Sequence, residues 1–271
     1  MEFRDKFNTI VKKNNSLLCV GLDPDVEKLP QHLLSDSDPI FAFNKAVIDA
    51  THDLVCVYKP NIAFYEAEGI KGLTSLKKTM EYIKSNHPDI PIILDAKRGD
   101  IGNTADRYAK AVFSYWDADA VTIFPNLGLD ALKPFLAYED KMTIVLIKTS
   151  NPDSGMFQDL QVNGKPYYLQ MAEIIKEWQY DNLGIFVGAT YPKELQEVRK
   201  IFPDRIFLVA GIGAQGGSIE ATVKAGIDKN GSGIMINASR SALYISDNED
   251  FAEKARGEAI KLRDEINSFR N

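Results

Sequence analysis

The sequence predicts a (β/α)8 TIM barrel, an α/β fold that forms a single domain over residues 1–271 behind a short N-terminal helix. Two observations carry that reading. Eight short apolar runs recur along the chain, with helical stretches between them. No Gly-x-Gly-x-x-Gly follows the first run and no linker divides the chain, which weighs against a doubly wound open sheet. The length of 271 residues also suits a barrel, which typically needs about 250.

The runs are Leu17–Leu22, Val55–Tyr58, Ile90–Leu94, Ala120–Ile123, Thr143–Ile147, Leu183–Val187, Ile206–Val209 and Gly233–Ile236. Each is short, mostly β-branched or Leu, and lacks strict alternation, as strands buried on both faces of a parallel sheet do. Apolar residues at helical intervals fill Asn44–Asp53, Glu66–Asn86, Thr104–Tyr115, Pro166–Gln179, Pro192–Ile201 and Ile219–Ala225, and Phe251–Phe269 closes the chain. Met1–Asn15 mixes Arg4, Asp5, Lys6, Lys12 and Lys13 with apolar residues at the same spacing, so it reads as a helix and not as a signal peptide. Ser150–Lys165 is long and rich in Asn, Asp, Gly and Pro; it reads either as a disordered insert or as a mobile lid.

Composition narrows the function. Hydrophobic residues make up 45% and charged residues 26%, an ordinary soluble mixture, and the net charge of -6 argues against a nucleic-acid partner. No stretch approaches the roughly 20 apolar residues of a membrane span. Cys19 and Cys56 both sit in apolar runs, which reads as two buried core residues; no disulfide framework or metal-ligand spacing is present. The expectation is a cytoplasmic enzyme with no cofactor, no metal and no room for a fused second domain.

Charged residues interrupt the ends of the first three runs. They read Gly21-Leu22-Asp23-Pro24, Tyr58-Lys59-Pro60-Asn61 and Asp95-Ala96-Lys97-Arg98-Gly99-Asp100. The C-terminal ends of barrel strands form the mouth where active sites lie. Asp95 and Lys97 are two apart, so on an extended chain they point to one side. Asp23, Lys59, Asp95 and Lys97 then share one sector of the mouth with alternating signs. A salt-bridge network that merely caps the barrel is the plainer explanation. Three consecutive strands supplying interleaved charges count against it, because partly buried ion pairs are expensive scaffolding. A lysine among carboxylates stays protonated, which suits a charge stabiliser and proton donor and does not suit a Schiff base.

Two later loops look like an anion site. Gly211-Ile212-Gly213-Ala214-Gln215-Gly216-Gly217-Ser218 follows the seventh run, and Asn237-Ala238-Ser239-Arg240-Ser241 follows the eighth. These are the usual phosphate positions in a barrel. Glycines let backbone N–H groups approach the oxygens, and Arg240 can add a bidentate contact. One glycine-rich turn alone would only mark a tight corner. Two in the expected loops, one with an arginine, point to a phosphorylated small molecule.

The segment Leu94-Asp95-Ala96-Lys97-Arg98-Gly99-Asp100-Ile101-Gly102-Asn103-Thr104 closely resembles the signature of orotidine 5′-monophosphate decarboxylases, in the form found in a bacterial branch of that family. The likeness extends to Leu22-Asp23, Lys59, Ser150-Asn151-Pro152, the Gly211–Gly217 loop and Arg240, nearly the whole barrel. It implies cofactor-independent decarboxylation of orotidine 5′-monophosphate to UMP, in pyrimidine biosynthesis, by a homodimer. On that likeness Asp95 lies against the substrate carboxylate, and Lys97 stabilises charge at C6 and delivers the proton that replaces CO2. Lys59 orients Asp95 and reaches the ribose, and Asp23 binds a ribose hydroxyl. Asp100, Ile101 and Thr104 project into the neighbouring subunit's site. Ser150 recognises the pyrimidine, while Gln215, Ser239 and Arg240 hold the phosphate. Many relatives have Gly-Arg where this chain has Ser239-Arg240.

Three rivals remain beside it. Related sugar-phosphate decarboxylases share the Asp-x-Lys-x-x-Asp element but are metal-assisted, with an acid where this chain has Lys59. A class I aldolase would need Lys97 to deprotonate among carboxylates. A catalytically silent nucleotide-binding barrel would not need Asp23, Lys59, Asp95, Lys97 and Asp100 together.

Overall fold

The structure is a computed structural model that describes residues 1–212 and 216–270. Among the described residues, eight of ten strands make one parallel sheet: β1 (Leu18–Leu22), β2 (Val57–Pro60), β3 (Ile93–Arg98), β4 (Ala120–Ile123), β5 (Met142–Lys148), β8 (Leu183–Gly188), β9 (Phe207–Ala210) and β10 (Ile234–Ala238). The remaining two, β6 (Gln161–Val162) and β7 (Lys165–Pro166), form a separate hairpin. Sheet order is β2-β1-β10-β9-β8-β5-β4-β3. Bridges Tyr58↔Ile92 and Asn61↔Asp95 join β2 to β3 and close the barrel. Almost every strand residue is buried, so the near-continuous apolar runs reflect a sheet covered on one side by helices and filled on the other by its own side chains.

The N-terminal helix Phe3–Asn14 buries Phe3, Phe7, Ile10 and Val11, one face at helical spacing. Its anchors all precede strands: Phe3 N–H bonds Asp140 O at 3.0 Å, Lys6 reaches Asp119 at 3.1 Å, and Asn14 Nδ2 bonds Val55 O at 2.8 Å. The helix therefore seals the end of the barrel opposite the mouth. Helix Pro39–Thr51 starts where Asp38 Oδ1 accepts the Phe41 N–H, with proline at its first position. Among the described residues no helix is long and apolar enough to cross a membrane.

Several elements differ from the sequence expectation. Helix Leu129–Leu136 between β4 and β5 was not foreseen; it is one short amphipathic stretch with Pro134 inside it, a residue that normally argues against a helix interior. The expected helix Glu66–Asn86 is two helices, Ile62–Glu66 and Gly69–Asn86, broken where Gly69 takes φ +60°. The stretch Thr104–Tyr115 begins earlier, as an α-helix over Gly102–Lys110, and ends in a π-helical turn, Ala111–Tyr115. Residues 150–165 are folded, which removes the disordered alternative: a 3-10 turn Pro152–Ser154, a helix Gly155–Gln158, and the β6–β7 hairpin. Asn163 and Gly164 take φ +53° and +77° at its tip, the pair that a two-residue hairpin turn favours.

Candidate active site

The third strand runs further than its apolar residues do. β3 carries Asp95 and Lys97 inside it, and β2 carries Lys59. Pairing of β3 with β4 follows Ile93↔Ala120 and Leu94↔Val121, then resumes at Arg98↔Ile123. Asp95, Ala96 and Lys97 thus face a single residue, Thr122, across a bulge. Lys97 sits there at φ +45°, a left-handed conformation that costs an ordinary residue about 1–2 kcal/mol.

Charges converge on this bulge. Asp95 Oδ1 accepts from Lys97 Nζ at 2.7 Å and from Thr122 Oγ1 at 2.8 Å, and Oδ2 accepts from Lys59 Nζ at 3.1 Å. Lys59 is 3% exposed, and its second anion is Asp23, whose Oδ1 lies 3.9 Å away. That Asp23 oxygen is buried and has no hydrogen-bond partner among the described residues, so its contact with Lys59 is an ion pair without a hydrogen bond. Burial by itself would raise the Asp95 carboxyl, but Lys59, Lys97 and the Thr122 hydroxyl hold it well below the usual carboxylate range. Burial would likewise lower Lys59, and Asp23 and Asp95 outweigh it, holding the amine charged far above neutrality. Asp95 and Lys59 are thus a fixed pair of full charges.

A cavity of about 660 Å³ opens over it. Asp23, Lys59, Asp95 and Lys97 line one side, and Ser150, Ser239 and Arg240 line others, so seven of the expected site residues meet in one space. Gln215 lies outside the described residues. Asp100, Ile101 and Thr104 do not reach this cavity from their own chain. They occupy the rim at the start of helix Gly102–Lys110, where Asp100 Oδ1 accepts the Ile101 N–H and Ile101 is 59% exposed.

The far side is shaped by close backbone approaches. A Cβ on Gly21 would collide with Ser239 Oγ, so glycine in β1 admits the loop after β10. Asn237 Nδ2 donates to Ser239 Oγ at 3.2 Å. Gly211 takes φ +108°, and Gly217 N–H bonds Gly211 O at 3.1 Å, which pinches the ends of the glycine-rich loop together. Arg240 is exposed and makes no ion pair among the described residues. Its guanidinium is available to an anion.

Three participants escaped the sequence reading. Thr122 lies inside an apolar run and looks like any β-branched strand residue. Asn237 directly follows the eighth run, where a polar side chain at a buried strand position was the available signal. Lys148 was invisible because nothing marks it as buried: its side chain is 0% exposed, bonds Asp159 Oδ1 at 2.6 Å and stands 4.6 Å from the Tyr191 ring centre. With Gln158, which bonds both the Thr149 N–H and Oγ1 at 2.9 Å, it ties the folded 150–166 segment to the end of β5.

The chain is similar to known proteins over its whole length. The model of the Orotidine 5'-phosphate decarboxylase / HUMPS family matches residues 16–255. The chain is 49% identical to an orotidine 5'-phosphate decarboxylase of Cellvibrio japonicus, with 100% of both chains covered. It is 52% identical to the Flavobacterium johnsoniae protein of the same name, with 94% of each covered. Among solved structures it resembles Leishmania donovani OMP decarboxylase, with a TM-score of 0.86 at 39% identity, covering 100% of this chain and 99% of that one. It also resembles Leishmania donovani UMP synthase, with a TM-score of 0.88 at 41% identity; all of this chain matches, spanning 57% of that one.

Proposed function

The chain belongs to the Orotidine 5'-phosphate decarboxylase / HUMPS family, and we propose on that footing that it converts orotidine 5′-monophosphate to UMP and CO2 without a cofactor. The observation that carries this is Asp95 shared between two ammonium groups, at 2.7 Å from Lys97 and 3.1 Å from Lys59. Such an array stabilises negative charge that a pyrimidine ring cannot delocalise.

The substrate carboxylate lies beside Asp95. The bond from C6 to that carboxylate breaks, CO2 departs, and the electron pair remains on C6 in the plane of the ring. The Lys97 ammonium stabilises that pair as it forms and then donates a proton to C6; solvent later reprotonates the amine. Fixed charges aimed at the place where negative charge develops are the main catalytic resource here. Lys59 holds Asp95 and, with the Asp23 carboxylate that lines the cavity, receives the ribose hydroxyls. Ser150 meets the pyrimidine from the β5 side, and Ser239 and Arg240, with Gln215, hold the phosphate. Binding energy gathered at the phosphate, remote from C6, organises the site for the reaction.

The active form is a homodimer acting as one domain per chain over residues 1–271, in the cytoplasm. Asp100, Ile101 and Thr104 of each protomer complete the site of its partner. What supports this is their position outside their own cavity, on an exposed stretch that leaves the apolar Ile101 uncovered.

The metal-assisted sugar-phosphate reading is disfavoured by Lys59 at the end of β2 and by relatives that share about half their residues with this chain. Incubation with orotidine 5′-monophosphate in the presence of a chelator, followed by ultraviolet absorbance, tests the proposal. Steady loss of the orotate absorbance with appearance of UMP is expected. No turnover, or turnover that needs added magnesium, overturns it.

A further inference from the structure

We propose that Thr122 is a positioning residue for the reaction: its hydroxyl holds both the Asp95 carboxylate and the backbone that carries Lys97. The inference rests on the catalytic reading above.

Thr122 Oγ1 donates to Asp95 Oδ1 at 2.8 Å and accepts the N–H groups of Ala96 and Lys97, each at 3.1 Å. One hydroxyl thus uses its proton and both lone pairs on three successive residues of β3. It is the one β4 residue opposite the bulge, where regular ladder pairing stops between Leu94 and Arg98. Without it, the buried Ala96 N–H and the part-buried Lys97 N–H lose their acceptor and Asp95 Oδ1 keeps only Lys97. Thr122 is 1% exposed and does not line the cavity, so it acts through Asp95 and Lys97 and not on substrate. The left-handed φ of +45° at Lys97 explains why an anchor is needed there: that backbone has no reason of its own to stay put.

A threonine that served only as packing would be replaceable by valine, which has the same shape and suits a strand. The hydroxyl reading predicts otherwise. Thr122→Val and Thr122→Ala are compared with Thr122→Ser and the unaltered chain, so the hydroxyl is deleted twice, once in each size. Both deletions are expected to lower kcat roughly tenfold to a hundredfold, the scale of a catalytic group displaced by about an ångström. UMP affinity should stay within about threefold, because Thr122 is not placed on the product, and Thr122→Ser should stay near the unaltered rate. Should valine fail to fold, the alanine–serine pair carries the comparison. Crystal structures of the hydroxyl-free variants supply a readout independent of turnover: the Lys97–Asp95 contact should open. Unchanged kcat per folded site, a serine variant as slow as alanine, or an unmoved Lys97 each overturns the proposal. An unaltered chain that does not turn over orotidine 5′-monophosphate sinks the catalytic reading instead, and the variant structures still decide what Thr122 holds.

Discussion

Lys97 meets Asp95 at 2.7 Å from a left-handed backbone, with φ +45°, and not from a regular strand. Residues two apart on a regular strand are about 6.6 Å apart along it, their side chains parallel. The bulge opposite Thr122 replaces that spacing with a local turn of the chain, and the ammonium ends on the carboxylate. Strain of about 1–2 kcal/mol is thereby held in the folded state. The charge is in place before any substrate arrives, which is how a fixed electrostatic site avoids reorganising during the reaction.

Lys97→Ala should therefore lose the charge that faces C6 while the barrel stays intact. Removal of one preorganised donor of this type costs about 3 kcal/mol, or roughly a hundredfold to a thousandfold in kcat. Single-turnover absorbance measurements on folded variant give the number. A variant within a few-fold of the unaltered rate would remove Lys97 from its role.

Asp95 also gives the protein an acid-sensitive term. Its folded carboxyl titrates below the usual range, while an unfolded aspartate titrates near about 3.9. A folded value below the unfolded one means stabilisation fully present above the unfolded value, and lost as pH falls through the folded one. Denaturant melts of the unaltered chain and Asp95→Asn from neutral pH downward test this. The unaltered chain should be more stable at pH 7, by up to about 3 kcal/mol, because Lys59 loses its nearer anion and keeps only Asp23 at 3.9 Å. The gap should shrink below about pH 4. A gap that stays constant through the acid range would mean that the carboxyl is not depressed.

Much of this site was legible because charge at the end of an apolar strand is rare enough to notice. Asp23, Lys59, Asp95 and Lys97 announce themselves that way, and the barrel brings three neighbouring strand ends together. Thr122 and Lys148 carry no such mark. Threonine is an ordinary strand former, and a lysine reads as solvated until packing shows it enclosed between Tyr168 and Tyr191. The bulge at Lys97 is a property of the β3–β4 pairing, which no single segment encodes. The hairpin at Asn163-Gly164 was the avoidable omission, since that dipeptide between short extended segments is itself a turn signal.

Arg240 makes a prediction about binding alone. Its side chain lines the cavity opposite the lysines and has no ion-pair partner among the described residues. A hydrogen bond to a charged group is worth about 1.5–3 kcal/mol, so Arg240→Ala should weaken UMP binding roughly tenfold to a hundredfold. Uridine, which lacks the phosphate, should bind both proteins alike. Calorimetry with the two ligands separates the cases, and equal weakening of uridine would show that the arginine does not read phosphate.

The shared site is tested by mixing subunits. Asp100→Ala and Lys97→Ala each disable every site in their own homodimers, provided that the partner's Asp100 completes the Lys97 site. In a mixed dimer, one site collects both defects and the other collects neither. Random reassortment makes half the dimers mixed, so about a quarter of all sites should be intact in a closed two-fold assembly. Mixing two nearly silent proteins at equal concentration, after partial denaturation and refolding, should then restore activity to about that fraction of the unaltered rate. If Asp100 served its own chain's cavity, no combination of the two could rebuild an intact site, and the mixture would stay silent.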